Sequence, residues 1–138
     1  MAQMTTQLEV VSAEEMLFSG SVKHVEVTGI EGELGIHPGH APLITTLQPG
    51  KVHMVTESGE DNHIYINGGV LEVQPKVVTV LADVAVRGED LDEQAAMDAK
   101  RRAEENIANP GADFDYAEAA KELAQAVAQL RIIQSIRK

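Results

Sequence analysis

The hydrophobic period of this chain changes once, at Arg87-Gly88, and that single change limits its fold more than any other feature. Before it, apolar residues recur at every second position. Val25 and Val27 alternate with His24 and Glu26, Val52 and Met54 with Lys51 and His53, and Ile64 and Ile66 with His63 and Tyr65. A strand with one buried face requires that pattern. Turn residues at Gly20, Gly29, Gly32, Pro49-Gly50, Ser58-Gly59, Gly68-Gly69 and Pro75 interrupt the runs. Many short strands so spaced predict an antiparallel β-sandwich or barrel over residues 1–87.

From residue 88 to residue 138 the period is helical. Asp90 followed by Glu93 resembles a capping box, and Leu91, Ala95, Ala99, Ala103 and Ile107 then recur along one side. Asn109-Pro110-Gly111 ends this helix, because proline has no N–H to donate and clashes with the preceding turn. A second helix starts near Asp113 or Asp115 and carries Tyr116, Ala120, Leu123, Val127, Leu130 and Ile133 on one side. The expected architecture is mainly β with α: an N-terminal antiparallel sandwich followed by a C-terminal antiparallel two-helix hairpin. Twelve alanines between Leu91 and Leu130 give the helices high intrinsic propensity but little apolar bulk. Burying a Leu, Val or Ile contributes roughly 1.5–3 kcal/mol, and few such side chains line the second helix. After ordering costs, docked and undocked hairpins lie within a few kcal/mol, so Leu123, Val127, Leu130 and Ile133 are the candidate packing or switch residues.

Composition narrows function. A net charge of −11 repels a nucleic-acid backbone or an anionic lipid surface, so the expected partner is neutral or locally basic. Aromatic residues make up only 3% of the chain, so the core must come from Val, Ile, Leu and Ala. The first ten residues hold Gln and Thr where a signal peptide would be apolar, and no run of about 18 apolar residues follows. The expectation is a soluble, unexported protein without direct membrane insertion; absence of cysteine agrees with a reducing compartment.

Reaction chemistry is poorly represented. There is no Gly-x4-Gly-Lys-Ser/Thr loop, no Gly-x-Ser-x-Gly elbow and no cysteine nucleophile. Glu31 and Glu33 are the one candidate carboxylate pair for acid/base chemistry, but two apart in a turn or strand they read as solvated neighbours. Gly32 to Leu43 packs three glycines and two prolines beside His37 and His40. Pro38 and Gly39 suit the central positions of a type II turn, so the two histidines flank a bend. Zinc needs three or four converging ligands, and no metal or cofactor is expected here. Arg131, Arg137 and Lys138 close the second helix, either complementing its dipole or facing an acidic partner.

The loop GELGIHPGHAPL, then Gly68-Gly69-Val70-Leu71-Glu72-Val73, Val78-Thr79-Val80-Leu81-Ala82-Asp83 and Leu91-Asp92-Glu93, closely resembles the epsilon subunit of bacterial F-type ATP synthases, in order from about Leu8 to Arg131. The resemblance implies a sandwich of about ten strands followed by two helices. It implies a non-catalytic rotor subunit in the central stalk, on the cytoplasmic face of the bacterial plasma membrane. The β domain would bind the gamma subunit and the c-ring, with Glu31, Gly32, Glu33 and His40 toward the c-ring. The hairpin would extend along gamma to the alpha and beta subunits and suppress ATP hydrolysis, with Arg131, Arg137 and Lys138 toward that catalytic head.

Nucleotide-binding members resemble the pattern Ile or Leu, Asp, two variable residues, Arg, Ala in the first helix, with two arginines four apart in the second. Here Asp92 is kept, Ala95 replaces the arginine, and the later arginines fall on Gln125 and Gln129. Three lost cations leave a weak nucleotide site at Asp92. Two other readings remain: a stand-alone nucleotide-sensing module whose hairpin closes on its ligand, and a metal-assisted hydrolase using His37 and His40.

Overall fold

The computed structural model describes residues 4–137. Seven strands, β1 (Thr6–Ser12), β2 (Met16–Gly29), β3 (Gly32–Ile36), β4 (Leu43–Thr56), β5 (Asp61–Val73), β6 (Val77–Ala82) and β7 (Ala85–Arg87), precede helices α1 (Glu93–Ala108) and α2 (Tyr116–Arg137). The sheet order is β1-β6-β5-β4-β2-β3; β7 pairs with β5, and β1 also pairs with β2. That last pairing closes the sheet on itself, removing two edges that would otherwise expose unpaired backbone. Only β1 and β6 run parallel; every other pairing is antiparallel.

Seven strands stand where about ten were expected, because β2, β4 and β5 each run through both layers of the sandwich. The bend is visible as a change in which residues point inward. On β5, Ile64 and Ile66 are buried, and then Leu71 and Val73; on β4, Leu47 and then Gly50, Val52 and Met54; on β2, Val22 and then Val25 and Val27. Each change from one parity to the other lies at a backbone irregularity: Gly68-Gly69, both at positive φ, on β5; Pro49-Gly50 on β4; and a register shift after Val22 on β2. Gly20, Pro49-Gly50 and Gly68-Gly69 therefore lie inside strands and do not end them, contrary to the sequence reading. The Gly29–Gly32, Ser58-Gly59 and Pro75 positions are true turns or turn flanks. Gly69 cannot be otherwise, since a Cβ there would run into the Leu81 carbonyl.

The core is almost wholly aliphatic: Leu8, Val10, Val22, Val25, Val27, Ile36, Met54, Ile66, Leu71 and Val80 are fully or nearly fully buried between the layers. Asp92, not Asp90, caps α1. Its carboxylate accepts from the Ala95 N–H at 3.1 Å, while Gly88–Asp90 form a short 3-10 turn. Asp115 similarly accepts from the Glu118 N–H and opens α2.

The stripe joining the helices differs from the one expected. Ala96 and Ala103 are the buried residues of α1, and Ala119, Ala126 and Ile133 are buried on α2 together with Ile132, with the alanine sets and Ile133 repeating every seven residues. Tyr116 is exposed, Ala95 is exposed, and Leu123, Val127 and Leu130 are only half-buried. The sequence placed the large residues at the centre of the stripe, but alanines are the buried residues between the helices, and Leu123 and Val127 line the cleft against the sheet.

Candidate functional site: the face between sheet and hairpin

The hairpin folds back onto the layer formed by β3 and the adjoining halves of β2, β4 and β5. Between them lies a cleft of about 1080 Å³ with Glu26, Thr28, Lys51, His53, Asp61 and His63 on the sheet side. Leu123, Val127 and Arg131 of α2 line the other side. Apolar contact across this interface is sparse, since Ile132 and Ile133 are the only large buried side chains on α2 and none is buried on α1.

Two amide side chains supply the specificity that apolar packing does not. Gln125 Nε2 donates to Asn67 Oδ1 at 2.7 Å, and Gln129 hydrogen-bonds the buried Tyr65 hydroxyl. Burial raises the Tyr65 phenol above its ordinary value, against the effect of the Gln129 bond. Gln125 and Gln129, onto which the sequence reading aligned the arginines of nucleotide-binding hairpins, here tie α2 to the sheet. Sequence reasoning treated them only as missing cations; no periodic signal marks Tyr65 or Asn67 as their partners.

At the far end the interface closes on Gly88. A Cβ on Gly88 would stand 2.5 Å from Ile136 Cδ1 and 2.9 Å from the His63 carbonyl oxygen, so the absence of a side chain permits the end of α2 to seat there. Arg137 adds a two-pronged ion pair to Glu93, with Nη1 to Oε2 at 2.9 Å and Nη2 to Oε1 at 2.5 Å. This pair joins the end of α2 to the start of α1 and holds the Glu93 carboxyl below its ordinary value.

Polar groups on the sheet side form a connected set. His53 contacts Glu26 through Nδ1 at 3.1 Å and Asp61 through Nε2 at 2.7 Å, and its hydrogen bonds lower both carboxyl pKa values. The His53 and His63 rings stack at 4.4 Å with 6° between planes. Among the described residues no group of three or more His, Cys, Asp or Glu is arranged to hold a metal ion.

The remaining candidates fall elsewhere. Glu31 and Gly32 form the exposed tip of the β2–β3 hairpin, while Glu33 turns back to accept from the Thr28 hydroxyl at 3.3 Å and reaches the cleft edge. His40 lies in the loop after β3, so about 15 Å of strand separates it from that tip. The loop is the expected turn: Gly39 has φ 84°, and the His40 N–H donates to the His37 carbonyl at 3.1 Å. His37 does not join His40 at a common centre; its ring lies 5.3 Å from that of His24. Asp92 is engaged as the α1 cap, Arg131 lines the cleft, and Lys138 lies outside the described residues.

On the opposite layer an apolar row crosses four strands. Met16 pairs with Val11, Val11 with Leu81, and Leu81 with Val70; Met16 is 50%, Leu81 51% and Val70 38% exposed. Ile44, 71% exposed, adjoins this row on β4. Sequence alternation hides these residues, because outward apolar positions on β1 and β6 read as one more buried strand. Among the described residues no helix is long and apolar enough to cross a membrane.

A β-sandwich with an αα-hairpin folded on one layer and a bare apolar row on the other defines a class of two-part protein built around contact surfaces. The chain belongs to the ATP synthase delta/epsilon chain family: it matches the family's beta-sandwich domain over residues 5–88 and its long alpha-helix domain over residues 89–134. Its fold is also similar to a chain in the Euglena gracilis mitochondrial ATP synthase OSCP/F1/c-ring structure, with TM-score 0.73 and 22% identity over 96% of this chain and 79% of that one. A chain of the Tetrahymena thermophila mitochondrial ATP synthase central stalk/c-ring structure is similar with TM-score 0.60 and 13% identity, over 96% of this chain and 99% of that one.

Proposed function

We propose that this chain is a non-catalytic central-stalk subunit of a proton-translocating F-type ATP synthase, peripheral on the cytoplasmic face of a bacterial plasma membrane. It couples gamma to the c-ring through its β domain and inhibits ATP hydrolysis when its C-terminal hairpin extends toward alpha and beta. The observation carrying this reading is the family match over both domains combined with a hairpin docked by few large apolar side chains and a handful of polar bonds. Such an interface is separable at modest free-energy cost.

The apolar row Met16, Val11, Leu81 and Val70 supports assignment of the layer away from the hairpin to gamma, since exposed contiguous apolar surface marks docking sites. The Glu31-Gly32-Glu33 tip and His40 are assigned to the c-ring, and Arg131, Arg137 and Lys138 to the catalytic head in the extended state. Release of Arg137 from Glu93 would free that cation for an acidic partner.

The test is ATP hydrolysis by a catalytic core stripped of this subunit, with added full chain or a version ending at Gly88. Inhibition by the full chain alone assigns the inhibitory role to the hairpin, whereas equal rates with both would remove it. Equilibrium dialysis with labelled ATP separates the stand-alone nucleotide sensor: with Asp92, Gln125 and Gln129 already engaged, affinity weaker than micromolar is expected, and tighter binding would restore that reading.

A further inference from the structure

We propose that His63 makes docking of the helical hairpin responsive to pH, protonation of its imidazole releasing α2 from the β domain. This rests on the mobile-hairpin part of the reading above, and on the position of one side chain. His63 sits on β5 where the Gly88 turn and the end of α2 converge, with Ser135 and Ile136 closing the space beside it. Its Nδ1 is buried and has no hydrogen-bond partner. The neutral ring tolerates this as an unused lone pair, but an added proton would create a charged donor with no acceptor.

Among the described residues no acceptor stands within hydrogen-bond reach of Nδ1 to take up such a proton. Of the carboxylates nearby, Glu26 on β2 and Asp61 on β5 are already held by His53, which lies against the other face of the ring. Glu33 on β3 is held by Thr28, and Glu89 of the 3-10 turn lines the opening on the other side together with Arg87 of β7. Lys51 on β4 and Arg131 on α2 add positive charge to the cleft, and His24 on β2 adds a further imidazole beside Glu26. Burial, then His53, hold the His63 imidazole below its ordinary 6.5, with Asp61 acting in the opposite sense.

The sign follows from where the burial originates. With α2 docked, burial disfavours the charged ring; with α2 away, water reaches Nδ1 and that part of the depression is relieved while His53 stays stacked on the ring, so the undocked state binds more protons. Docking stability linked to His63 is therefore fully present above pH 6.5 and is lost as pH falls toward the depressed value. One linked proton changes the undocked-to-docked ratio by at most about tenfold per pH unit.

The chain has no cysteine, so spin labels at Glu57→Cys on the β domain and Glu122→Cys on α2 report the distance between them in the intact protein. The expected result is a short distance at pH 8 and a growing longer population toward pH 5.5, abolished in His63→Gln and His63→Leu. A distance unchanged by pH in the parent, or a response retained in both variants, overturns the proposal. Should the variants not fold, the His63 imidazole resonances and the α2 amides of the parent must titrate with one midpoint; different midpoints overturn it. The combined Leu123→Ser, Val127→Ser, Leu130→Ser chain separates this from the underlying reading. A longer distance at pH 8 there, with no pH response in the parent, refutes only the His63 device, whereas an unmoved hairpin in every sample refutes the mobile hairpin as well.

Discussion

Gly88→Ala probes the joint between sheet and hairpin with one methyl group. The backbone at Gly88 is not in the left-handed region, so alanine's smaller unfolded-state entropy alone would stabilise the chain by about 0.4–1 kcal/mol. Packing acts the other way. The new Cβ would stand 2.5 Å from Ile136 Cδ1, 2.9 Å from the His63 carbonyl oxygen and 3.2 Å from His63 Cβ. Ile136 is 43% exposed and can rotate away, but a carbonyl within a paired strand cannot. Overpacking of this kind costs about 1–3 kcal/mol, and the mid-range net of about 1.3 kcal/mol must be relieved by lifting the end of α2. Such a difference multiplies the open population about tenfold. Hydrogen exchange of the Ile132 to Arg137 amides in the intact chain should accelerate by that factor, while amides of β1 and β6 stay unchanged. Unchanged or slower exchange in α2 would refute the argument that Gly88 is small because α2 seats on it.

Asp92→Ala removes the carboxylate that accepts the Ala95 N–H and should cost about 0.5–2 kcal/mol, seen as a lower melting temperature and faster exchange in the first turn of α1. Asp90→Ala should change neither, since Asp90 lies in the preceding 3-10 turn. Gly69→Ala forces a side chain into φ 148° and against the Leu81 carbonyl, so the β domain should lose well over about 1 kcal/mol and its melting temperature should fall by at least about 4 °C. Arg137 holds the Glu93 carboxyl below 4.5; the pair's contribution is therefore present above that pH and lost as pH falls through the depressed value, and Arg137→Ala should return the Glu93 midpoint, read by NMR titration, toward 4.5.

Much of this organisation was legible in local pattern. Period-two alternation followed by helical spacing is a property of consecutive residues, and it gave a sandwich followed by a hairpin. Pro38-Gly39 gave the turn between His37 and His40 because both residues act through their own dihedral angles. Local pattern failed where a strand changes layer. Gly68-Gly69 and Pro49-Gly50 carry turn chemistry, yet pairing on both sides keeps β5 and β4 continuous through them. The cap moved from Asp90 to Asp92 for a similar reason: the start of α1 depends on where Gly88 must stop to accommodate α2.

What the sequence determined by itself is the identity of each element and its aliphatic core, since backbone preference and the inward face of each strand are set by neighbouring residues. The tertiary structure alone decided the docked interface: that Gln125 reaches Asn67, Gln129 reaches Tyr65, Arg137 reaches Glu93, and α2 seats over Gly88 beside His63. Gln125 and Asn67 lie 58 residues apart in the chain, and Arg137 and Glu93 lie 44 apart. No local period encodes them, because such contacts depend on how two separately specified domains meet in space.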